Sequence, residues 1–326
     1  MPRSLAVFIG TLLVFLFSSA HANFYVVAGG GKKVGTEIKA LPFEITEPGF
    51  YYITKNLSCV SGAHGITIES SDVTIDLMGF SLVGPGGTGT YCGIYADTPG
   101  ENLEVRNGII REFQDSGIKV TSVIKGVRTL NIKAFSNGKH GIILYGASGI
   151  IKGNICMSNG TNGIQGGYSS TITGNSCYDN GNNGIDSKQG STITGNTCHS
   201  NIRSGIDTSH ECAVINNSCR ENGNYGIYVG AGSSVIGNSS CSNTGYGIYA
   251  LHGSSLQNNS CYSNGDDGIR AGVGSSVIGN SCYDNDDHGI YVQGNSYVGQ
   301  NTSYDNGTNI NDCSNCSKGL NHIPSS

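Results

Sequence analysis

Tryptophan is absent from the 326 residues, and charged side chains make up only 13% of them. The 23 acidic and 18 basic residues are scattered, without a lysine or arginine block. Nucleic-acid binding therefore has no electrostatic footprint in this chain. Helical periodicity is missing, which argues against a helical fold. Beyond the N-terminal segment, no stretch approaches the roughly 20 apolar residues that a membrane helix needs, so no membrane span is expected. What is abundant is glycine, 51 residues, and that composition favours many short strands joined by tight turns.

The N-terminus starts with Arg3, runs through an apolar stretch from Leu5 to Phe17 and ends in Ala20-His21-Ala22. That order of basic, apolar and small residues is the pattern of a secretory signal over residues 1–22, cleaved after Ala22. The mature chain is then expected to be soluble and secreted, in a periplasm or outside the cell.

Gly-Ile pairs begin at Gly65, Gly93, Gly117, Gly141, Gly163, Gly184, Gly205, Gly226, Gly247, Gly268 and Gly289. The spacing shortens from 28 to 24, 24 and 22, and then holds at 21 six times. A fixed period in this range marks a stacked solenoid, in which each unit buries its apolar face only against its neighbours. Within one unit, such as Ser170 to Gly190, three short segments are separated by corners rich in Asn, Gly and Asp. The expected fold is all-β: a single-stranded parallel β-helix of about 10–11 coils of 21–24 residues, each coil contributing three short strands.

Two inward rows follow from the period. The isoleucines from Ile164 to Ile290 stack as an aliphatic column. Cys156, Cys177, Cys198, Cys219, Cys261 and Cys282 form a second column in which Ser240 and Ser303 fill the missing steps. Small apolar residues at a strict repeat are most simply core filling, which removes most of the 12 cysteines from any disulfide framework. Asparagine recurs every 21 residues from Asn154 to Asn301 and again from Asn159 to Asn306. An amide at a coil corner can hydrogen-bond the coils above and below while tolerating a left-handed backbone.

With its entry segments Ile45–Leu57, Ser71–Gly84 and Asn102–Phe113, the chain resembles the right-handed parallel β-helix superfamily of pectate-lyase-like, PbH1-repeat proteins over roughly residues 40–310. The resemblance implies a right-handed solenoid. It places polysaccharide lyases, hydrolases and epimerases among the possible activities, since one fold hosts many chemistries. Residues 23–50 are expected to cap the first coil, residues 51–306 to form the β-helix, and residues 307–326 to close its far end. Cys313 and Cys316 lie in the far tail, where a local disulfide or a free pair is favoured over zinc because no fourth ligand is evident. The pairing of Cys59, Cys92 and Cys212 stays open.

Strand alternation points the residue after each Gly-Ile outward. That row reads Gln165, Asp186, Asp207, Tyr228, Tyr249, Arg270, Tyr291. A second outward row beside the cysteines includes Tyr178, His199, Arg220, Cys241, Tyr262, Tyr283 and Tyr304. In the first row, Asp186 and Asp207 place two carboxylates about 5 Å apart with Lys188 nearby. They are candidates for calcium ligation or acid-base work. Lys188, Arg203 and His210, with Asp186 and Asp207, form the best candidate set for proton abstraction from an acidic sugar. Tyr228, Tyr249, Arg270 and Tyr291 suit stacking on pyranose rings and binding of a uronate carboxylate. A further acidic turn brings Asp266 and Asp267 under Asp287 and His288. Three functions are consistent with these rows: an exported rod that recognises polysaccharide or another cell-surface glycan, a lyase or epimerase of uronate-containing glycans, and a passive surface spacer. Short regular coils without inserted loops favour recognition over catalysis.

Overall fold

Alternation over strands only three residues long decides the architecture. In Ile185–Ser187 the isoleucine and the serine are buried, and Asp186 between them faces out. One such strand cannot hold a fold, but thirteen of them lie side by side in one parallel sheet, hereafter the Gly-Ile sheet. The computed structural model describes residues 34–60, 62–121, 124–311 and 313–324. The expected signal segment lies outside the described residues.

The rest of each turn lies in a second sheet of 24 parallel strands. Near the start, Leu103–Arg111 pairs along its length with Val73–Asp76, Ser81–Val83 and Arg128–Phe135. From there the sheet divides into two ladders, for example Thr171–Thr173 and Ser176–Tyr178, so that a regular coil has three strands. The stack extends past the Gly-Ile pairs at both ends, through Phe43–Ile45 and Thr308–Ile310, and so reaches thirteen turns. At about 4.8 Å per step the Gly-Ile sheet is roughly 60 Å long. No helix among the described residues is long and apolar enough to cross a membrane.

The interior is a set of columns. Ile164, Ile185, Ile206, Ile227, Ile248, Ile269 and Ile290 are fully buried, each burial contributing about 1.5–3 kcal/mol. The cysteine column is equally buried, and Ser240 and Ser303 occupy its missing steps. A third column, from Ile172 through Val214 and Leu256 to Val298, completes the core. The glycine of each Gly-Ile pair is required by crowding: a Cβ on Gly184 would lie 2.7 Å from the Gly205 carbonyl oxygen and 3.1 Å from Cys198 Cβ.

Both asparagine columns are buried hydrogen-bond ladders. Asn196 Nδ2 donates to Asn217 Oδ1 at 3.0 Å and to the Ile172 carbonyl at 2.9 Å. Its Oδ1 accepts from both the backbone N–H and the side-chain amide of Asn175, each at 2.9 Å. The left-handed residue at these corners is not the asparagine itself. It is the residue before it, as at Gly174, Gly195 and Asn216 on the first column and Asp179, Ser200 and Glu221 on the second. Left-handed geometry there turns the chain so that the following amide points inward. Cys212, unassigned by the sequence, belongs to a buried serine column: its backbone N–H donates to Ser233 Oγ at 3.2 Å, as Ser170 N–H does to Ser191 Oγ at 3.1 Å. Cys313 and Cys316 form a disulfide, whereas Cys59, Cys92 and Cys212 are free and buried.

Candidate functional site

Every Gly-Ile strand presents one side chain on the sheet's outer face and one more at the turn just before the glycine. In register, the face reads Thr67, Tyr95, Lys119, Ile143, Gln165, Asp186, Asp207, Tyr228, Tyr249, Arg270 and Tyr291. The strip therefore changes chemistry along its length, from carboxylates in the middle to tyrosines and then to an arginine near the C-terminal end.

Asp186 and Asp207 sit directly opposite one another on adjacent strands. Burial pushes the Asp207 carboxyl up, and the Asp186 charge adds to it; the Asn183 hydrogen bond and the charges of Arg203 and Lys188 only partly oppose them, leaving Asp207 pushed up to about 6. Burial also raises Asp186, against the Lys188 charge and an Asn183 hydrogen bond. Asn183 Nδ2 donates to Asp207 Oδ2 at 3.3 Å. Lys188 and Arg203 thus belong to the electrostatic surroundings of the pair, from opposite edges of the sheet. His210 sits elsewhere. Its Nδ1 accepts the Ala231 N–H at 3.0 Å, and it lines an open notch of about 380 Å³ with Gln189, Glu211, Ala231, Gly232 and His252, which does not include the carboxylates.

As a calcium site, Asp186 and Asp207 offer two carboxylates towards the six to eight oxygens that the ion takes. A tighter group lies further along, where ligand atoms of Asp267, Asp287 and His288 all fall within 4.8 Å of one another. There, however, Asp267 is already committed: it is fully buried, with Oδ2 3.1 Å from an Arg270 guanidinium nitrogen and Oδ1 2.8 Å from His288 Nδ1.

The tyrosines form a cluster rather than a single row. Tyr228 and Tyr249 are register neighbours, yet their rings meet at 80° with centroids 5.4 Å apart. Tyr225 and Tyr246, from the turn before each glycine, stack on each other at 5.4 Å and 16°; Tyr225 also stacks on Tyr228 at 5.9 Å and meets Tyr249 edge-on, and Tyr246 meets Tyr249 edge-on. Arg270 closes the cluster, its guanidinium carbon 5.4 Å from the Tyr246 ring centroid and 4.3 Å from that of Tyr291. Counting only the residue after each isoleucine misses Tyr225 and Tyr246; the repeated Tyr-Gly-Ile-Tyr at 225–228 and 246–249 is the signal that marks them.

The row beside the cysteines behaves differently. Tyr262 and Tyr283 stack at 4.9 Å and 2°, Tyr283 and Tyr304 at 5.3 Å and 7°, and Tyr178 and His199 at 4.9 Å and 5°. Rings stacked in register cover one another's faces and stabilise the ladder. On the Gly-Ile face the contacts are mixed: Tyr228 meets Tyr249 edge-on, while Tyr225 stacks on both Tyr228 and Tyr246.

Thirteen parallel turns of three short strands around aliphatic, thiol and asparagine columns define a right-handed parallel β-helix, the fold of pectate-lyase-like proteins. Residues 92–240 match the family model described as the right handed beta helix region. No curated protein matches the sequence. Among solved structures, the chain is similar to the Dettilon tailspike protein, with a TM-score of 0.61, 16% identity and coverage of 89% of this chain. It spans 60% of that tailspike's length. It is also similar to the A-module of the Azotobacter vinelandii mannuronan C-5 epimerase AlgE6, with a TM-score of 0.60, 14% identity and coverage of 90% of each chain. A point mutant of the periplasmic alginate epimerase AlgG matches with a TM-score of 0.54 and 14% identity, over 86% of this chain and 76% of the other.

Proposed function

We propose that this is an exported β-helix protein that recognises acidic polysaccharide along the outer face of the Gly-Ile sheet. The observation that carries the reading is the cluster of four tyrosines, Tyr225, Tyr228, Tyr246 and Tyr249, on this face, closed by the Arg270 guanidinium over Tyr246. An aromatic ring offers apolar area to the apolar side of a pyranose, and an arginine takes a carboxylate with two parallel hydrogen bonds. The expected signal segment supports export. The alginate epimerases among the structural neighbours support a glycan as the partner.

A second reading, a lyase or epimerase of uronate-containing glycans, is favoured by Asp207. A carboxylate pushed up to about 6 is poised to exchange a proton near neutral pH, and Lys188 and Arg203 supply positive charge beside it.

One experiment separates the two. The purified protein is mixed with polymannuronate and with polygalacturonate, and binding, the absorbance of unsaturated products and the C5 configuration of the uronates by proton NMR are followed in parallel. Recognition predicts binding without turnover, weakened about tenfold by Tyr228→Ala or Tyr249→Ala, a loss of roughly 1–1.5 kcal/mol per aromatic contact. Turnover abolished by Lys188→Ala or Arg203→Ala establishes the enzyme instead. Binding untouched by either tyrosine change removes the Gly-Ile face as the recognition surface.

A further inference from the structure

The first turns of the same sheet carry a separate constellation of charged and aromatic groups. Asp115, 2% exposed, accepts from Lys139 Nζ at 2.7 Å and from Ser116 Oγ at 2.7 Å, and Lys119 Nζ lies 3.6 Å from the same carboxylate. Burial pushes the Asp115 carboxyl up, but the hydrogen bonds from Lys139 and Ser116 and the Lys119 charge outweigh it and leave the pKa lowered. One buried carboxylate thus fixes two ammonium groups, which leaves this trio with one positive charge in excess, while Asp97 is engaged by the Tyr95 hydroxyl. A lysine has three N–H donors, and the Lys139 and Lys119 side chains remain 48% and 27% exposed, so donors are left over.

Beside the lysines is an aromatic ledge. Lys119 sits directly opposite Tyr95 in the ladder. The His64 ring lies flat on Tyr95, with centroids 4.1 Å apart and planes 9° apart, and Tyr91 meets His64 edge-on at 5.4 Å. His64 Nδ1 accepts the Cys92 N–H at 3.0 Å, which leaves the proton of the neutral ring on Nε2 as a donor. Burial and the Lys119 charge lower the His64 pKa, and burial takes His140 down to about 4. His140 Nδ1 is buried with no hydrogen-bond partner among the described residues. The Tyr95 hydroxyl donates to Asp97 at 2.9 Å, so this phenol is not available as a base. Asp97 follows the strand, whereas Lys139 lies in the turn that precedes it, so the carboxylate and the Lys139 ammonium flank the face from opposite sides.

We propose that Lys119 and Lys139 form an oxyanion subsite for an acidic pyranose, with the carboxylate or sulfate on the two ammonium groups and the ring on the His64–Tyr95 ledge. The subsite rests on the reading of the Gly-Ile face as a glycan-binding strip and adds to it a cationic end, several turns from the tyrosine cluster.

The test uses the full chain and follows the imidazole NMR signals of its histidines during titration with glucuronate, with galactose 6-sulfate and with neutral galactose at constant ionic strength. The expected result is a saturable shift of His64 and His140 with one or both acidic sugars, none with galactose, and no matching shift of His252 or His322. Lys119→Met and Lys139→Met are each expected to weaken the interaction at least fivefold. Lys119→Arg, which keeps the charge over Asp115, is expected to retain it and guards against a folding defect. The response to glucuronate against that to the sulfate ester tells which oxyanion is read. Absence of any shift at His64 and His140, or shifts unchanged in both methionine variants, overturns the subsite. Loss of polymer binding in Tyr228→Ala with monosaccharide shifts intact leaves the strip standing, whereas monosaccharide shifts without any polymer binding refute the strip and keep the oxyanion site.

Discussion

Asp267 and His288 meet across adjacent turns, with Oδ1 2.8 Å from Nδ1, and the carboxylate is wholly buried. The same oxygen accepts the His288 backbone N–H at 3.0 Å, and the other oxygen holds Arg270 at 3.1 Å. This carboxylate therefore sets the position of the guanidinium that closes the tyrosine cluster. Asp267→Ala removes the acceptor for three donors at once. Breaking a fully buried pair costs about 3–5 kcal/mol, and the partial exposure of Arg270 and His288 reduces this to about 2–3 kcal/mol. The urea midpoint is expected to fall accordingly, with a smaller fall in Asp267→Asn, which keeps one acceptor. An Asp267→Ala midpoint equal to that of the parent chain would mean the network is idle.

Asp207 makes stability depend on pH in the direction opposite to an ordinary salt-bridged carboxylate. Its pKa in the folded protein is about 6, against about 3.9 for an unfolded aspartate. Between those values the folded state binds more protons than the unfolded one, so stability falls as pH rises from about 4 through 6 and levels off above. The expected loss is at most about 2–3 kcal/mol. Thermal midpoints measured across that range are expected to decline in the parent chain and to decline less in Asp207→Asn. Equal slopes would show that Asp207 titrates normally.

The period of 21 made the columns legible before any coordinates, because a residue that recurs at the period must meet itself in the next turn. The isoleucine, cysteine and asparagine columns all follow from that one number. The first and last turns did not follow, since Phe43–Ile45 and Thr308–Ile310 lack the Gly-Ile pair that counts coils. The face residues were legible by alternation; at the turn before each glycine the residue types could be read, as with Asp267 and His288, but not which side chains turn inward, because a turn has no period of two. Tyr225, Tyr246 and the buried Asp267 sit there, and so do His64 and His140. Asp267 read from sequence as one of several acidic turn residues; its burial depends on Arg270 and His288 converging from two different turns.

The cysteine column allows a substitution series whose outcome the chain itself already samples. Ser240 stands where the repeat calls for cysteine, is fully buried, and donates its hydroxyl to the Gly247 carbonyl at 2.7 Å. Two repeats earlier, Cys198 stands in the same relation to Gly205. Cys198→Ser can make the equivalent hydrogen bond and is expected to cost under about 1.5 kcal/mol, since a buried hydroxyl with a partner escapes most of its desolvation penalty. Cys198→Val has no such outlet. Its second methyl enters a fully buried, close-packed column, and overpacking of this kind costs about 1–3 kcal/mol. Thermal unfolding of the three proteins is expected to rank parent, then serine, then valine. A serine variant as damaged as the valine one would show that the column requires sulfur, and that Ser240 is tolerated for a reason local to its own turn.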